Sequence, residues 1–122
     1  MHGPRVAEIL DRMEARHDTL CASAFAAAEI LVGLYKSEER ELAAGVERFF
    51  QSPELRVIDF RLSTARRYAE IRSRVRVSPA DAIHLASAAE AGVDLFLTHD
   101  RRLKGKLVPG IHFIADLEAD LL

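Results

Sequence analysis

Residues 78–98 read SPADAIHLASAAEAGVDLFLT, a complete helix followed directly by a strand. Ser78 fits the cap position of a helix and Pro79 fits its first turn. Gly92 is the expected stop, which predicts a helix ending at about Ala91. Residues 93–98 (VDLFLT) then form the most apolar strand-like run of the chain. The stretch predicts one helix–strand unit of an α/β fold.

The same alternation extends over the rest of the chain. A first helix is predicted from Pro4, and further helices over residues 24–35, 39–50 and 63–74. Strands are predicted over residues 19–23, 55–60 and 111–115, and one helical turn over residues 100–103. Strands separated by helices predict a central parallel sheet with helices on both faces. We expect a single domain spanning residues 1–122.

Charge is unevenly distributed along the 122 residues. The net charge of −2 argues against a generic nucleic-acid coat protein. The second half nevertheless holds two basic clusters, either of which can contact a phosphate backbone or simply form a solvated surface. The clusters are Arg61, Arg66, Arg67, Arg72, Arg74 and Arg76, and then Arg101, Arg102, Lys104 and Lys106.

Two features bear on the cellular compartment. Cys21 is the single cysteine, so no internal disulfide forms, and a buried structural thiol in a reducing cytoplasm is expected. Residues 19–35 are the longest stretch poor in charge, and Glu29 within them makes a membrane span a poor interpretation. We expect a cytoplasmic protein with no membrane partner.

Glu29 is the first of three acids that merit a functional interpretation. In parallel sheets, ligands bind beyond the carboxyl ends of the strands. Glu29 is the single charged residue of an apolar helix that directly follows the strand at residues 19–23. A carboxylate there needs a partner, a metal ion, a proton or water. A polar face that touches water is the alternative.

Asp81 and Asp100 are the other two acids. Asp81 lies in the first turn of the helix that Ser78 begins, so it belongs either to a capping box or to a site. Asp100 follows the strand at residues 93–98 and is either the cap of a short turn or a site acid.

Three acids at strand ends or helix starts can converge on one hard cation. Mg²⁺ and Mn²⁺ prefer oxygen ligands and keep waters for a substrate phosphate. Such an ion activates a bound water for attack on phosphorus. A rival pair is Asp81 with His84, three positions apart on one helix, although His84 is expected to pack or cap rather than bind a metal.

Three blocks of the chain together resemble the PIN domain family. They are residues 23–33 (SAFAAAEILVG), 78–86 (SPADAIHLA) and 97–103 (LTHDRRL), and they occur in the family's order and spacing. The chain is most similar to the VapC-type toxin ribonuclease subgroup, and the resemblance covers essentially its whole length.

The resemblance implies a three-layer α/β/α fold and a Mg²⁺- or Mn²⁺-dependent endoribonuclease acting on RNA. It implies a homodimer, and a small antitoxin whose C-terminal segment covers the site. Family acids correspond to Glu29, Asp81 and Asp100, which are the expected catalytic and metal-binding residues. Expected substrate contacts are Thr98, Arg101 and Arg102.

The chain departs from the family pattern at its beginning. Family members start with an apolar strand that ends in the first metal-binding Asp, whereas here residues 1–4 lead into the match to the first helix. That strand lies in the middle of the family sheet, so its absence is expected to leave the strands at residues 19–23 and 93–98 short of a neighbour. A late start or a trimmed sequence is one explanation, and a degenerate member is the other.

Three functional hypotheses remain open from the sequence. The first is the PIN-type endoribonuclease, possessing weak or no activity with one acid missing. The second is a non-catalytic PIN-like module that binds RNA or protein. The third is an unrelated α/β domain in which Glu29, Asp81 and Asp100 never meet, and only coordinates distinguish it from the others.

Overall fold

A computed structural model describes residues 3–93, 96–98, 106–111 and 114–116. In this part of the chain, five helices and four strands follow one another in nearly the predicted order. They are α1 (Gly3–Arg16), β1 (Leu20–Ser23), α2 (Ala24–Lys36), α3 (Arg40–Phe50), β2 (Leu55–Ile58), α4 (Leu62–Arg74), α5 (Pro79–Ala91), β3 (Phe96–Thr98) and β4 (Ile114–Asp116). The helical turn predicted at residues 100–103 lies outside the described residues.

All strand pairing among the described residues is parallel, as predicted. β1 pairs with β2 in a register that sets Ser23 opposite Ile58. β3 pairs with β4 in a register that sets Thr98 opposite Asp116. Helices α2 and α3, which lie between β1 and β2, form the crossover that this parallel pair requires.

One continuous sheet is not seen among the described residues, but the expectation that the strands at residues 19–23 and 93–98 are short of a neighbour is confirmed. Within the described ranges the strands form two separate two-stranded sheets, so β1 and β3 are each paired on one side. Hydrophobic pattern fixes which residues are extended, but it does not specify which strands lie side by side. The parallel α/β class is correct, and the three-layer arrangement stays a prediction.

The helix from residue 79 begins and ends as its sequence predicts. The Ser78 hydroxyl oxygen accepts a hydrogen bond from the Asp81 backbone N–H at 3.1 Å, and Pro79 occupies the first turn. Gly92 ends the helix with φ of 66°, a left-handed conformation that glycine adopts without a Cβ penalty. The Val93 N–H then bonds the Ala88 carbonyl, so residue 93 belongs to the helix end and not to the predicted strand.

The last predicted strand also begins later than expected. The Ile111 N–H bonds the Val108 carbonyl at 3.0 Å, which makes a turn there. Gly110 adopts φ of 84° within that turn. The strand therefore includes Ile114–Asp116, in place of the predicted residues 111–115.

The hydrophobic core lies between α4 and α5, which pack along their length. Ile71 from α4 and Leu85 from α5 are completely buried. Burying a side chain of this size contributes about 1.5–3 kcal/mol. Ala82, Ala86 and Val108 complete the cluster of buried residues. This core fixes α5, and hence the residues on its first two turns. Among the described helices none has the length and hydrophobicity needed to cross a membrane.

Candidate functional site

Ser23 connects the end of β1 to the start of α2. It is the last residue of the strand and the N-cap of the helix, and its hydroxyl oxygen accepts a hydrogen bond from the Ala26 N–H at 3.1 Å. Serine suits this position because its short side chain satisfies an otherwise unpaired helix N–H. Glu29 consequently lies in the second turn of a helix that starts at a strand's carboxyl end, as the sequence predicts.

Glu29 and His84 are in direct contact between two helices. His84 Nε2 lies 2.6 Å from Glu29 Oε1, although the two residues are 55 positions apart in the chain. The pair joins the second turn of α2 to the second turn of α5. A short contact of this kind is typical of a hydrogen bond to an ionised carboxylate.

His84 makes a second hydrogen bond on the other side of its ring. Its Nδ1 lies 2.8 Å from the Ser23 hydroxyl oxygen. The Phe25 ring is tilted against the imidazole with centroids 5.5 Å apart. The imidazole is thus bonded at both nitrogens and lies beside the Phe25 ring, so its orientation is well defined.

Asp81 lies three residues before His84 and is half-buried. The bond from Ser78 uses the backbone N–H of Asp81, not its carboxylate. The capping interpretation of this segment is therefore correct for Ser78, while the Asp81 carboxylate is not consumed by that bond. The reciprocal bond of a capping box, donated by the Ser78 N–H to the Asp81 carboxylate, is not present between these two described residues, and the site role of Asp81 stays a prediction.

The structure places some of the predicted site residues and leaves others undescribed. Glu29 and Asp81 both have described side chains, whereas the side chains of Thr98, Asp100, Arg101 and Arg102 lie outside the described residues. Within the described part of the chain, no three His, Cys, Asp or Glu side chains are close enough to hold a metal ion. The predicted set of three acids is thus not tested, because Asp100 belongs to it.

The sequence does not predict the hydrogen bonds that join His84 to Ser23 and to Glu29. His84 was expected to pack or cap, and Ser23 was simply the end of a predicted strand. Both residues belong to the blocks that carry the family resemblance, which is the one signal that marks them. Nothing local in the sequence pairs His84 with Glu29.

An open pocket of about 330 Å³ lies where α4 leads into α5, and its walls are basic. Arg72, Arg74 and Arg76 line it. Two of these cations have local partners: Arg72 donates to the Tyr68 hydroxyl at 3.0 Å, and Arg74 lies 3.8 Å from Glu70. Arg72 and Arg74 also suit the carbonyl end of α4, which favours cations. Three arginines of the first basic cluster therefore line one concave surface, and the segment that carries them ends a few residues before Asp81.

Comparison with known proteins agrees with this α/β fold. The profile of the PIN domain family matches residues 2–106, so this chain belongs to the PIN domain family. A chain of the crystal structure of VapBC2 from Rickettsia felis, bound to a DNA fragment from its promoter, has the same fold. The TM-score is 0.75 at 21% identity, over 94% of this chain and 86% of that one. No curated protein sequence matches this chain.

Proposed function

We propose that this chain is a Mg²⁺- or Mn²⁺-dependent endoribonuclease of the PIN type and the toxin of a toxin–antitoxin pair. One observation carries the proposal. The contact between Glu29 and His84 brings an acid of α2 to the turn of α5 that follows Asp81. Two of the three proposed acids are thereby held on neighbouring turns of contacting helices.

The side chains present fit a hard divalent cation. Glu29 and Asp81 offer carboxylate oxygens, the ligand type that Mg²⁺ and Mn²⁺ prefer. The Glu29 side chain is 46% exposed, so its carboxylate is accessible to an ion and to a substrate from solvent. Glu29, Asp81 and Asp100 are the proposed ligands. When bound, the ion supplies charge stabilisation for the phosphoryl group and an acidified water.

The chain's own residues supply orientation and substrate binding. Glu29 is oriented by His84, and Asp81 is carried on the first turn of α5, whose backbone the Ser78 cap fixes. Thr98, Arg101 and Arg102 are the proposed substrate contacts beside Asp100. RNA phosphates contribute most of the affinity in such complexes, and arginine binds them bidentately.

A partner protein is part of the proposal. The relative VapBC2 is a complex, and this chain exposes large apolar side chains on α2 and α3 of the kind that protein partners cover. They are Ile30, Val32, Tyr35, Leu42 and Phe49. An antitoxin and a second copy of the chain are the proposed partners. Sedimentation equilibrium of the isolated protein is expected to give about twice the 13.6 kDa chain mass, and a mass of one chain would contradict the homodimer.

RNA cleavage tests the nuclease. The purified protein is incubated with a labelled single-stranded RNA in Mn²⁺, in Mg²⁺ and in excess chelator. We expect weak metal-dependent cleavage, because the first acid of the family pattern has no counterpart here, and we expect Asp81→Asn and Glu29→Gln each to abolish it. The matched control is Asp18→Asn. Asp18 lies just before β1, whereas Ser23 ends that strand, so Asp18 is at the other end of the strand from the site.

Each outcome of this experiment has a definite meaning. Cleavage that persists in chelator contradicts the metal mechanism. RNA binding without cleavage in either metal contradicts the nuclease and favours the non-catalytic RNA-binding module. Growth arrest on expression of the wild type, relieved by Asp81→Asn, tests the toxin role separately.

A further inference from the structure

Ser23, His84 and Glu29 form a continuous chain of hydrogen bonds from the interior to the surface. The Ser23 residue is 6% exposed. The side chains of His84 and Glu29 are 25% and 46% exposed. The exposed end of this hydrogen-bond chain is therefore the Glu29 carboxylate. Its buried end is the Ser23 hydroxyl, which is held in place because Ser23 caps α2.

The donors and acceptors along this chain determine where the protons lie. The Ser23 oxygen already accepts the Ala26 N–H, so its own hydroxyl hydrogen is available for His84 Nδ1. If Nδ1 accepts, a neutral imidazole carries its hydrogen on Nε2 and donates it to Glu29 Oε1. Every donor in the chain then has an acceptor.

This arrangement is not that of a serine nucleophile. In a nucleophilic triad the hydroxyl faces the substrate, and the acid is the buried residue that orients the base. Here the order is reversed, because Ser23 is buried and caps α2 while Glu29 faces solvent. These hydrogen bonds can instead fix the position of the Glu29 carboxylate.

We propose that His84 and Ser23 are positioning residues that hold Glu29 in place to bind a divalent cation. His84 forms a hydrogen bond to one Glu29 carboxylate oxygen and so restricts the rotamers of this long, exposed side chain. Ser23 and Phe25 in turn hold the imidazole in position. The inference rests on the proposed function for the role of Glu29 as a metal ligand. It assigns a role to two side chains that themselves do not bind the metal.

Pre-orienting a ligand lowers the entropy lost when the ion binds. Groups that orient a metal ligand typically contribute about tenfold to hundredfold in metal affinity. His84→Ala is accordingly expected to weaken Mn²⁺ binding by about that factor. His84→Gln keeps an N–H donor of similar reach and is expected to recover part of the loss.

The experiment measures Mn²⁺ affinity by isothermal titration calorimetry on the full chain. The variants are His84→Ala, His84→Gln, Ser23→Ala and Glu29→Gln, and circular dichroism verifies that each is folded. His17→Asn is the control, because His17 is exposed and its positive φ of 61° suits asparagine. We expect wild-type affinity for the control and a smaller loss for Ser23→Ala than for His84→Ala.

A double-mutant cycle separates positioning from general destabilisation. If His84 acts through Glu29, adding His84→Ala to Glu29→Gln causes no further loss of Mn²⁺ affinity. Additive losses would contradict the proposal. Nitrogen-15 NMR of the metal-free wild type is an independent readout that needs no variant. It is expected to show a hydrogen on His84 Nε2, and a neutral imidazole with its hydrogen on Nδ1 and none on Nε2 would overturn the proposal.

RNA cleavage measured in parallel distinguishes this proposal from the nuclease. Unchanged Mn²⁺ affinity in a folded His84→Ala protein, with wild-type cleavage intact, overturns the positioning role alone. Mn²⁺ binding that depends on His84, in a wild type that cleaves no RNA, overturns the nuclease and supports the positioning role.

Discussion

Glu29 and His84 meet across 2.6 Å and join the second turns of two helices that follow different strands. The contact depends on two independent helix starts. Ser23 fixes the beginning of α2 and Ser78 fixes the beginning of α5. Glu29 and Asp81 both lie within two turns of these caps, so the caps determine where the two acids lie. The contribution of each cap to the free energy of unfolding can be measured.

Ser78→Ala is expected to destabilise the protein by about 1 kcal/mol, because the Asp81 N–H loses its acceptor at the start of α5. Asp81→Asn is expected to cost less, about 0.3–1 kcal/mol, since only the charge near the helix N-terminus is lost. Chemical denaturation of both variants measures the difference. A loss for Asp81→Asn that clearly exceeds the loss for Ser78→Ala would show that the carboxylate is mainly a structural cap.

Gly92→Ala is expected to destabilise the protein by about 1 kcal/mol. An added Cβ meets nothing within 4 Å, so the loss arises from the left-handed backbone alone. Gly33→Ala is the matched control, because its Cβ also meets nothing but Gly33 lies inside helix α2. That change is expected to stabilise by up to about 1 kcal/mol. Thermal unfolding measures both, and equal signs would contradict the backbone assignment.

Leu85→Ala is expected to destabilise the protein by about 2–5 kcal/mol, because Leu85 is completely buried between α4 and α5. Leu42→Ala is the control, since Leu42 is 54% exposed on α3. Denaturation in urea compares the two. Similar losses for both variants would mean that the core does not lie where α4 and α5 pack.

The pKa of Tyr35 is expected to lie above the ordinary value for tyrosine. The hydrogen bond that Tyr35 donates to Glu47, at 3.0 Å, and the Glu47 charge raise the pKa of Tyr35 from its ordinary 10.0. A raised pKa favours the protonated form of Tyr35. The stabilising contribution is therefore full below the unfolded-state pKa and is lost as pH rises through the folded-state value. Ultraviolet titration of the tyrosines measures this.

Glu47→Gln is the matched change for the tyrosine titration. It removes the charge and is expected to lower the pKa of Tyr35. Tyr35→Phe identifies the part of the absorbance change that belongs to Tyr35, because the chain has two tyrosines and no tryptophan. A Tyr35 midpoint that Glu47→Gln leaves unchanged would contradict the Tyr35–Glu47 bond.

Arg76→Gln tests whether the basic pocket contacts RNA. If Arg76 neutralises one phosphate, the slope of log Kobs against log salt becomes shallower by about 0.7 for single-stranded RNA. Arg56→Gln is the control, because Arg56 is exposed on β2 and does not line the pocket. Fluorescence anisotropy at several salt concentrations gives the slopes. Equal slopes for wild type and Arg76→Gln would assign the pocket to a solvated surface.

Local signals in the sequence predicted most of the elements. Ser78 and Gly92 mark the ends of α5, and the structure uses both as caps. Strand ends were less predictable, because Val93 and Ile111 bond backward into a helix end and a turn. Such bonds depend on the backbone conformation of a neighbouring glycine and not on the apolar pattern.

Contacts between residues far apart in the chain could not be predicted from local sequence signals. A period-two pattern does not distinguish one sheet from two, and only the resemblance to the PIN family, whose middle strand has no counterpart here, led to the expectation that β1 and β3 are short of a neighbour. The Glu29–His84 contact joins residues whose local surroundings give no sign of each other. Helix packing brings them together, so the sequence offers Glu29 as a candidate acid but does not pair it with the His84 imidazole.

The central claim is that the carboxylates of Glu29, Asp81 and Asp100 bind one shared divalent ion. Crystals of the protein grown with Mn²⁺, measured at the manganese absorption edge, test this claim most directly. We predict an anomalous peak bounded by these three side chains, with the Glu29 oxygen still bonded to His84. Carboxylates too far apart for one or two ions to bridge, with no peak among them, would contradict it.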